Sequence, residues 1–184
     1  VTILGRLITA PDVVIAYHGC HEEIARRVLA GESLRPSRNK FDWLGEGIYF
    51  WEYAPQRAWE WAEPRFAEKA ALLKVEIRLG RCLNLLDTAY FEGLQRAYTA
   101  IVERNERAGR DVPGNRGKAH YLDKVVVDEF CEAWERNGVT YQTVRGCFPE
   151  GSPVYTGSKI LRETHVQIAV RDASCISRLE LVEY

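Results

Sequence analysis

The sequence predicts an α+β domain organised on a sheet, and three observations carry that prediction. Runs with strand periodicity occur towards both ends of the chain, helical runs are grouped between them, and no GxGxxG turn follows a strand. The first two argue against regular β–α alternation. The third removes the anchor that a Rossmann-type dinucleotide fold would need. The 184 residues suit one domain, 1–184, better than two.

Residues 13–17 are β-branched and apolar and predict a buried strand ending at His18-Gly19. Ile24, Ala25, Val28 and Leu29 then follow helical spacing, and Gly31 supplies a stop. The polar stretch 35–40 contains Pro36, Ser37 and Asn39 and predicts a loop. Gly45 and Gly47 bracket a tight turn into a short strand at 48–50. Ala54 and Pro55 open a helix with Ala58, Trp61 and Ala62 on one face, which Pro64 is expected to kink or end. Strict alternation over 71–79 predicts a half-buried strand, followed by a short run at 82–85. The middle, about 88–138, reads as a helical insertion: Phe91, Leu94, Tyr98 and Ile101 keep one 3.6-residue period, and Leu122, Val125, Val126, Phe130 and Ala133 keep another. An exposed connection is expected at 109–117. Strands are expected at 139–144, at 164–170 with Val166, Ile168 and Val170 inward, and at 179–182.

Composition narrows the function classes. Hydrophobic residues make up 46% and charged residues 28%, an ordinary globular balance, and the net charge of −1 supplies no bulk pull towards nucleic acid or membrane. The five cysteines show no CxxC pairing, so reduced thiols in a cytoplasmic protein are the expectation. No run of transmembrane length and no signal-peptide pattern is visible. His18, Cys20 and His21 lie close together, but successive residues leaving a strand point apart and no second Cys/His group stands at ligand spacing, so no metal is expected. Cys20 as a nucleophile would need an orienting group and an oxyanion site, and neither is visible. His120 has no companions and reads as surface.

Three segments together resemble the ADP-ribosyltransferase family of the diphtheria-toxin and poly(ADP-ribose) polymerase type. The first is Tyr17-His18-Gly19 with its following helix and the phrase Gly31-Glu32-Ser33-Leu34-Arg35-Pro36-Ser37. The second is Leu44-Gly45-Glu46-Gly47-Ile48-Tyr49-Phe50, and the third is the late strand His165-Val166-Gln167-Ile168-Ala169-Val170. The likeness covers roughly the first 60 residues and the late strand, and the helical middle is unmatched. It implies a split, antiparallel-rich sheet and NAD as substrate.

The resemblance also implies roles. His18 would bind the adenosine-ribose hydroxyls. Gly19, lacking a Cβ, would let its backbone meet the nicotinamide carboxamide. Tyr49 would stack on the nicotinamide ring, its ring facing that of His18 across one cleft. Trp59 and Trp61 offer a second aromatic wall, and Ser37, Arg38 and Asn39 a meeting point for the pyrophosphate. The family's catalytic glutamate falls at Gln167, which can hold a ribose hydroxyl but supplies no negative charge. Glu163 and His165 lie in or beside the loop the family uses for its acceptor, and Glu163 is the expected substitute carboxylate. The implied activity is mono-ADP-ribosyl transfer to a macromolecular acceptor, protein or nucleic acid. Such activity suits a bacterial toxin or defence effector, whose partners would include an antitoxin or immunity protein. A non-catalytic NAD or ADP-ribose reader and an NAD glycohydrolase are the alternatives. An RNA 2′-phosphotransferase would show a basic, arginine-bearing site.

Each of these residues also has a plainer reading. His18 could be a satisfied strand-end histidine, Tyr49 and the two tryptophans core aromatics, Gln167 a solvated strand residue, and Glu163 an ordinary loop carboxylate.

Overall fold

The computed structural model describes residues 12–117 and 119–183, so the expectation for the extreme N-terminus lies outside the described residues. Strand β1 (Val13–His21) runs directly into helix α1 (Glu22–Leu29), and β2 (Ile48–Glu52) is followed by α2 (Pro55–Phe66). Then come β3 (Ala70–Arg78), β4 (Cys82–Asn84), helices α3 (Phe91–Arg107) and α4 (Tyr121–Glu135), and strands β5 (Thr143–Phe148), β6 (His165–Val170) and β7 (Ile176–Val182). The fold is α+β, with a mixed seven-stranded sheet in the order β4-β5-β6-β2-β1-β3-β7 and four α-helices among the described residues. Only the β4–β5 pair is parallel.

Local chemistry sets the element ends. His21 caps α1, its ring nitrogen accepting from the Glu23 amide, which employs the side chain that a metal site would have needed. Glu22 and Glu23 in the first turn and Arg26 and Arg27 in the last complement the helix dipole. Pro55 occupies the start of α2, where its missing N–H costs nothing.

Several boundaries differ from the sequence expectation. Helix α2 continues through Pro64 to Phe66, because a proline this close to the end removes one hydrogen bond without disturbing a following turn. Strand β5 starts at Thr143 and reaches Phe148, four residues later than the expected strand. Gln142 instead serves as a junction, its carbonyl accepting from the amides of Arg171 and Asp172. On α3, Phe91 and Tyr98 are largely exposed, and Ala97 and Ile101 make the buried contact. On β6, His165 and Ala169 are buried as well as Ile168 and Val170, while Val166 is only half-buried, because this strand is covered on both faces.

The two faces of the sheet are covered differently. On one, α1 presses Ala25 and Val28 onto a continuous core containing Ala16, Phe50, Leu73, Val75, Ile77 and Ile168. The other face carries two separate patches. Helices α3 and α4 cover Leu83, Val144 and Ala169 with Ala97, Val127 and Phe130, and α2 covers Trp51 and Leu72 with Ala58. A gap is left between these two helical covers, over β2 and β6.

Asp128 of α4 ties the inserted helices to the glycine turn. Its carboxylate accepts from the Glu46 amide (3.0 Å), from Arg171 (2.9 Å) and from Lys124 (2.5 Å). Burial pushes this carboxyl up, but the three hydrogen bonds outweigh burial and hold it below the ordinary carboxylate value. A depressed folded-state pKa gives stability that is present above the unfolded value, near 4, and lost as pH falls through the folded one. Thermal unfolding followed from pH 6 to pH 2 should therefore show a decline below about pH 4. Asp128→Asn should be less stable at pH 6 and show a shallower acid decline. An equally steep decline in the variant would remove this assignment.

Candidate active site

The cleft begins where β1 and β2 separate. Their pairing is confined to Ala16↔Glu52 and Tyr17↔Trp51, against nine residue pairs between β1 and β3. In an antiparallel strand, the backbone N–H and C=O of one residue point to the same side, and the sides alternate along the chain. The Ile15 carbonyl accepts from Tyr53 on the β2 side. By that alternation Gly19, four residues on, directs its own N–H and C=O into the open seam.

A Cβ on Gly19 would lie 2.3 Å from the Ala58 carbonyl oxygen of α2. Only glycine lets helix and strand approach this closely. The seam therefore exposes a backbone donor and acceptor at the floor of a cleft of about 600 Å³, within the range of small-molecule sites.

His18 bridges the seam. By register its side chain belongs to the face of Phe50, with the two ring centroids 5.4 Å apart, and Nδ1 lies 2.8 Å from the Tyr49 carbonyl oxygen. A carbonyl can only accept, so Nδ1 carries the proton. Burial pushes the imidazole pKa below its ordinary value, against the smaller upward pull of this hydrogen bond. A neutral ring in that tautomer keeps Nε2 as an acceptor.

Tyr49 stands on the opposite face, in register with Ala169. Its hydroxyl donates to the Gly45 carbonyl (2.8 Å) and accepts from the Leu44 amide (3.0 Å), which pins the ring to the glycine turn. Burial first, and then Asp42, push the phenol pKa far up, so it stays neutral. The His18 and Tyr49 rings therefore do not face each other as the sequence led one to expect. Both line the cleft, but from opposite faces of the sheet, because their strand positions alternate, and they are joined through the Tyr49 carbonyl.

Of the remaining sequence-derived candidates, Ser37, Asn39, Trp61, His165 and Gln167 line this cleft and Arg38, Trp59 and Glu163 do not. Arg38 turns outward to Glu46, at 2.5 Å. Trp59 packs with Trp51 and Leu72 beneath α2. Two positions apart on a helix are about 200° apart in direction, so only one of Trp59 and Trp61 can face the gap. Glu163 makes an ion pair with Arg57, at 3.5 Å. Gln167 lies opposite Trp51, and its Oε1 accepts from the Trp43 indole N–H at 3.3 Å. Ser37 bridges to Gly47, folding the polar loop back onto the glycine turn, and Asn39 donates to its hydroxyl.

The cleft also recruits residues that the sequence did not single out. Arg35, Asp42, Trp43, Arg65, Phe148 and Glu150 line it, and so does His120. His120 is not a surface residue: it is half-buried, its ring lies 5.9 Å from Trp43, and it is paired with Asp123 at 2.8 Å. Arg65 is placed over the Trp61 ring, 4.3 Å from its centroid, stiffening that wall. Two arginines are balanced by Asp42 and Glu150, so the lining is not strongly basic. Among the described residues no group of three or more His, Cys, Asp or Glu could hold a metal ion, and no helix is long and apolar enough to cross a membrane. The Cys20 thiol is pushed up to about 11 by burial, which removes it as a nucleophile at neutral pH.

No family model matches this chain, and no curated protein matches it.

Proposed function

We propose that the cleft binds NAD, that the fold is of the ADP-ribosyltransferase type, and that the protein is a mono-ADP-ribosyltransferase acting on a macromolecular acceptor. The observation that carries this reading is the open β1–β2 seam: Gly19 directs a backbone donor and acceptor into it, and Tyr49 and Trp61 line the same cleft. A primary carboxamide is the complement of one N–H beside one C=O, and a planar ring attached to it fits aromatic walls. His18 Nε2 then accepts from a ribose hydroxyl of the adenosine half, and Gln167 holds the 2′-hydroxyl of the nicotinamide ribose. The bond between ribose C1 and the nicotinamide nitrogen breaks, nicotinamide leaves with the electron pair, and the acceptor attacks the electron-poor C1. Ser37 and Arg35, rather than Arg38, are the residues available to the pyrophosphate.

Incubation with adenylate-labelled NAD and a whole-cell lysate tests the reading. Nicotinamide is expected to be released and label to enter a polymer, which protease and nuclease digestion then identify as protein or nucleic acid. Absence of nicotinamide release would exclude transfer. Gln167→Glu places a charge beside the developing cation and is expected to raise nicotinamide release, by on the order of 10²–10³-fold. An unchanged rate would move the electrostatic role away from this position.

One observation favours a second reading. Gln167 is uncharged and its oxygen is already engaged by Trp43, an arrangement that suits a module binding NAD or ADP-ribose without turnover. Binding without nicotinamide release is its signature. Release of free ADP-ribose without labelled polymer would instead mark an NAD glycohydrolase.

A further inference from the structure

The hairpin of β5 and β6 continues beyond its last paired residues. Phe148 pairs with His165, and the Glu163 amide donates to the Glu150 carbonyl at 3.1 Å, which keeps the same register. Residues directly opposite each other share a face, so Glu150 and Glu163 extend the row that holds His165 and Gln167. The two carboxylates then part company. Glu163 is joined to Arg57, whereas Glu150 lines the cleft and makes no ion pair among the described residues.

His165 lies between this pair and Gln167. Its Nδ1 is 2.5 Å from the Glu163 carbonyl oxygen, which fixes the proton on Nδ1 and leaves a lone pair on Nε2. Its ring is stacked on Phe148 at 5.3 Å and lies 6.4 Å from Trp51. The residue is only 7% exposed, and Nε2 is buried with no hydrogen-bond partner. A ring held by a backbone acceptor on one nitrogen, with an unused lone pair on the other, has the construction of an oriented base.

We propose that His165 is the general base of the transfer step, that Glu150 steadies its protonated form, and that the acceptor accordingly carries a proton it must lose, as an O–H group does. This rests on the NAD reading above. As the C1–nicotinamide bond breaks, the acceptor oxygen bonds to C1 and its proton passes to His165 Nε2. The imidazolium later returns that proton to solvent, so no other reactant is needed. Glu150 acts through His165 as a positioning residue, and supplies near the cleft the negative charge that Gln167 lacks. A carboxylate acceptor would have no proton to give and no use for this arrangement.

The charged groups acting on His165 are Arg57 from α2, and Glu150 and Glu163 from the hairpin loop. Burial pushes the imidazole below 6.5 and Arg57 adds to that, while its hydrogen bond and the two carboxylates pull it back up. The ring is therefore a base at neutral pH and loses that capacity as the pH falls through its lowered pKa.

The test uses the full chain with NAD, and methanol and azide as competing acceptors. Methanol must lose a proton, and azide has none to lose. Products are separated by mass spectrometry as methyl ADP-ribose and ADP-ribosyl azide. In His165→Gln the methanol-to-azide ratio is expected to fall by on the order of 10²-fold, within the usual range for a lost base. Continued formation of the azide product reports an intact cleft. In Glu150→Gln the ratio should fall several-fold, and the acid limb of the methanol product should move to lower pH, because a carboxylate that raised the histidine pKa has gone. An unchanged ratio in His165→Gln overturns the proposal. If that variant makes neither product, an unchanged ratio and acid limb in Glu150→Gln overturns it instead. Wild-type protein releasing no nicotinamide under any of these conditions sinks the transferase reading, and the base assignment with it.

Discussion

Tyr49→Ala is expected to lower nicotinamide release from NAD by on the order of 10²-fold or more, the loss typical when a reacting group is no longer held in its geometry. The expectation follows from two separate jobs of this side chain. Its ring lines the cleft beside the seam, and its hydroxyl closes the turn through Leu44 and Gly45. Tyr49→Phe separates the jobs. It keeps the ring and deletes only the two hydrogen bonds, so it should retain more activity than alanine while unfolding at a lower temperature. His18→Ala should abolish release as well, since it removes both the Nε2 acceptor and the bond to the Tyr49 carbonyl. Unchanged release in both alanine variants would end the assignment of this cleft.

The largest effect on stability is expected at Glu52. On the face away from the cleft its carboxylate meets the Arg145 guanidinium at 2.5 and 2.6 Å, a two-pronged pair whose side chains are 7% and 13% exposed. The pair joins β2 to β5 across β6. Removing one partner leaves a buried charge without its counterion, at a cost of about 3–5 kcal/mol. Replacing both by apolar groups of similar volume is commonly close to neutral. Denaturant unfolding of Glu52→Ala should show the full loss, and the double variant Glu52→Leu with Arg145→Met should recover most of it. A shift below about 1 kcal/mol in Glu52→Ala would place the pair among ordinary surface ion pairs.

The parts of the site that were legible in the sequence are those where local chemistry decides the outcome. A β-branched run before His18-Gly19 specifies a strand and two glycines before Ile48 specify a turn, and the structure has both. The strand does not end at His18-Gly19, however, but runs on to His21 because its ladder with β3 continues. The alternation at 71–79 is found within one residue, because Leu73, Val75 and Ile77 share a buried face. Glu150 was not legible, since its position depends on the register of a hairpin whose loop contains Gly and Pro and has no period. His120 was misread for a related reason: its packing against Trp43 depends on where α4 docks, and no pattern in the neighbouring sequence encodes that. Arg38 and Glu163 have the right chemistry, but each is held by an opposite charge that only the tertiary structure brings near. Gln142 delays the start of β5 to Thr143 because its backbone serves two chain crossings at once.

The narrow join between β1 and β2 has a mechanical consequence. Strands β4, β5, β6 and β2 form one panel, and β1, β3 and β7 another, with two residue pairs and the Ile15–Tyr53 hydrogen bond along the crease. Few ladder bonds cross the crease, so what holds the panels together there is side-chain packing: Ala16 and Leu73 from one panel share a core with Phe50 and Ile168 from the other, and α2 spans Trp51 and Leu72. The floor of the cleft is thus held as a fixed template by close-packed side chains, and a flat guest must conform to it.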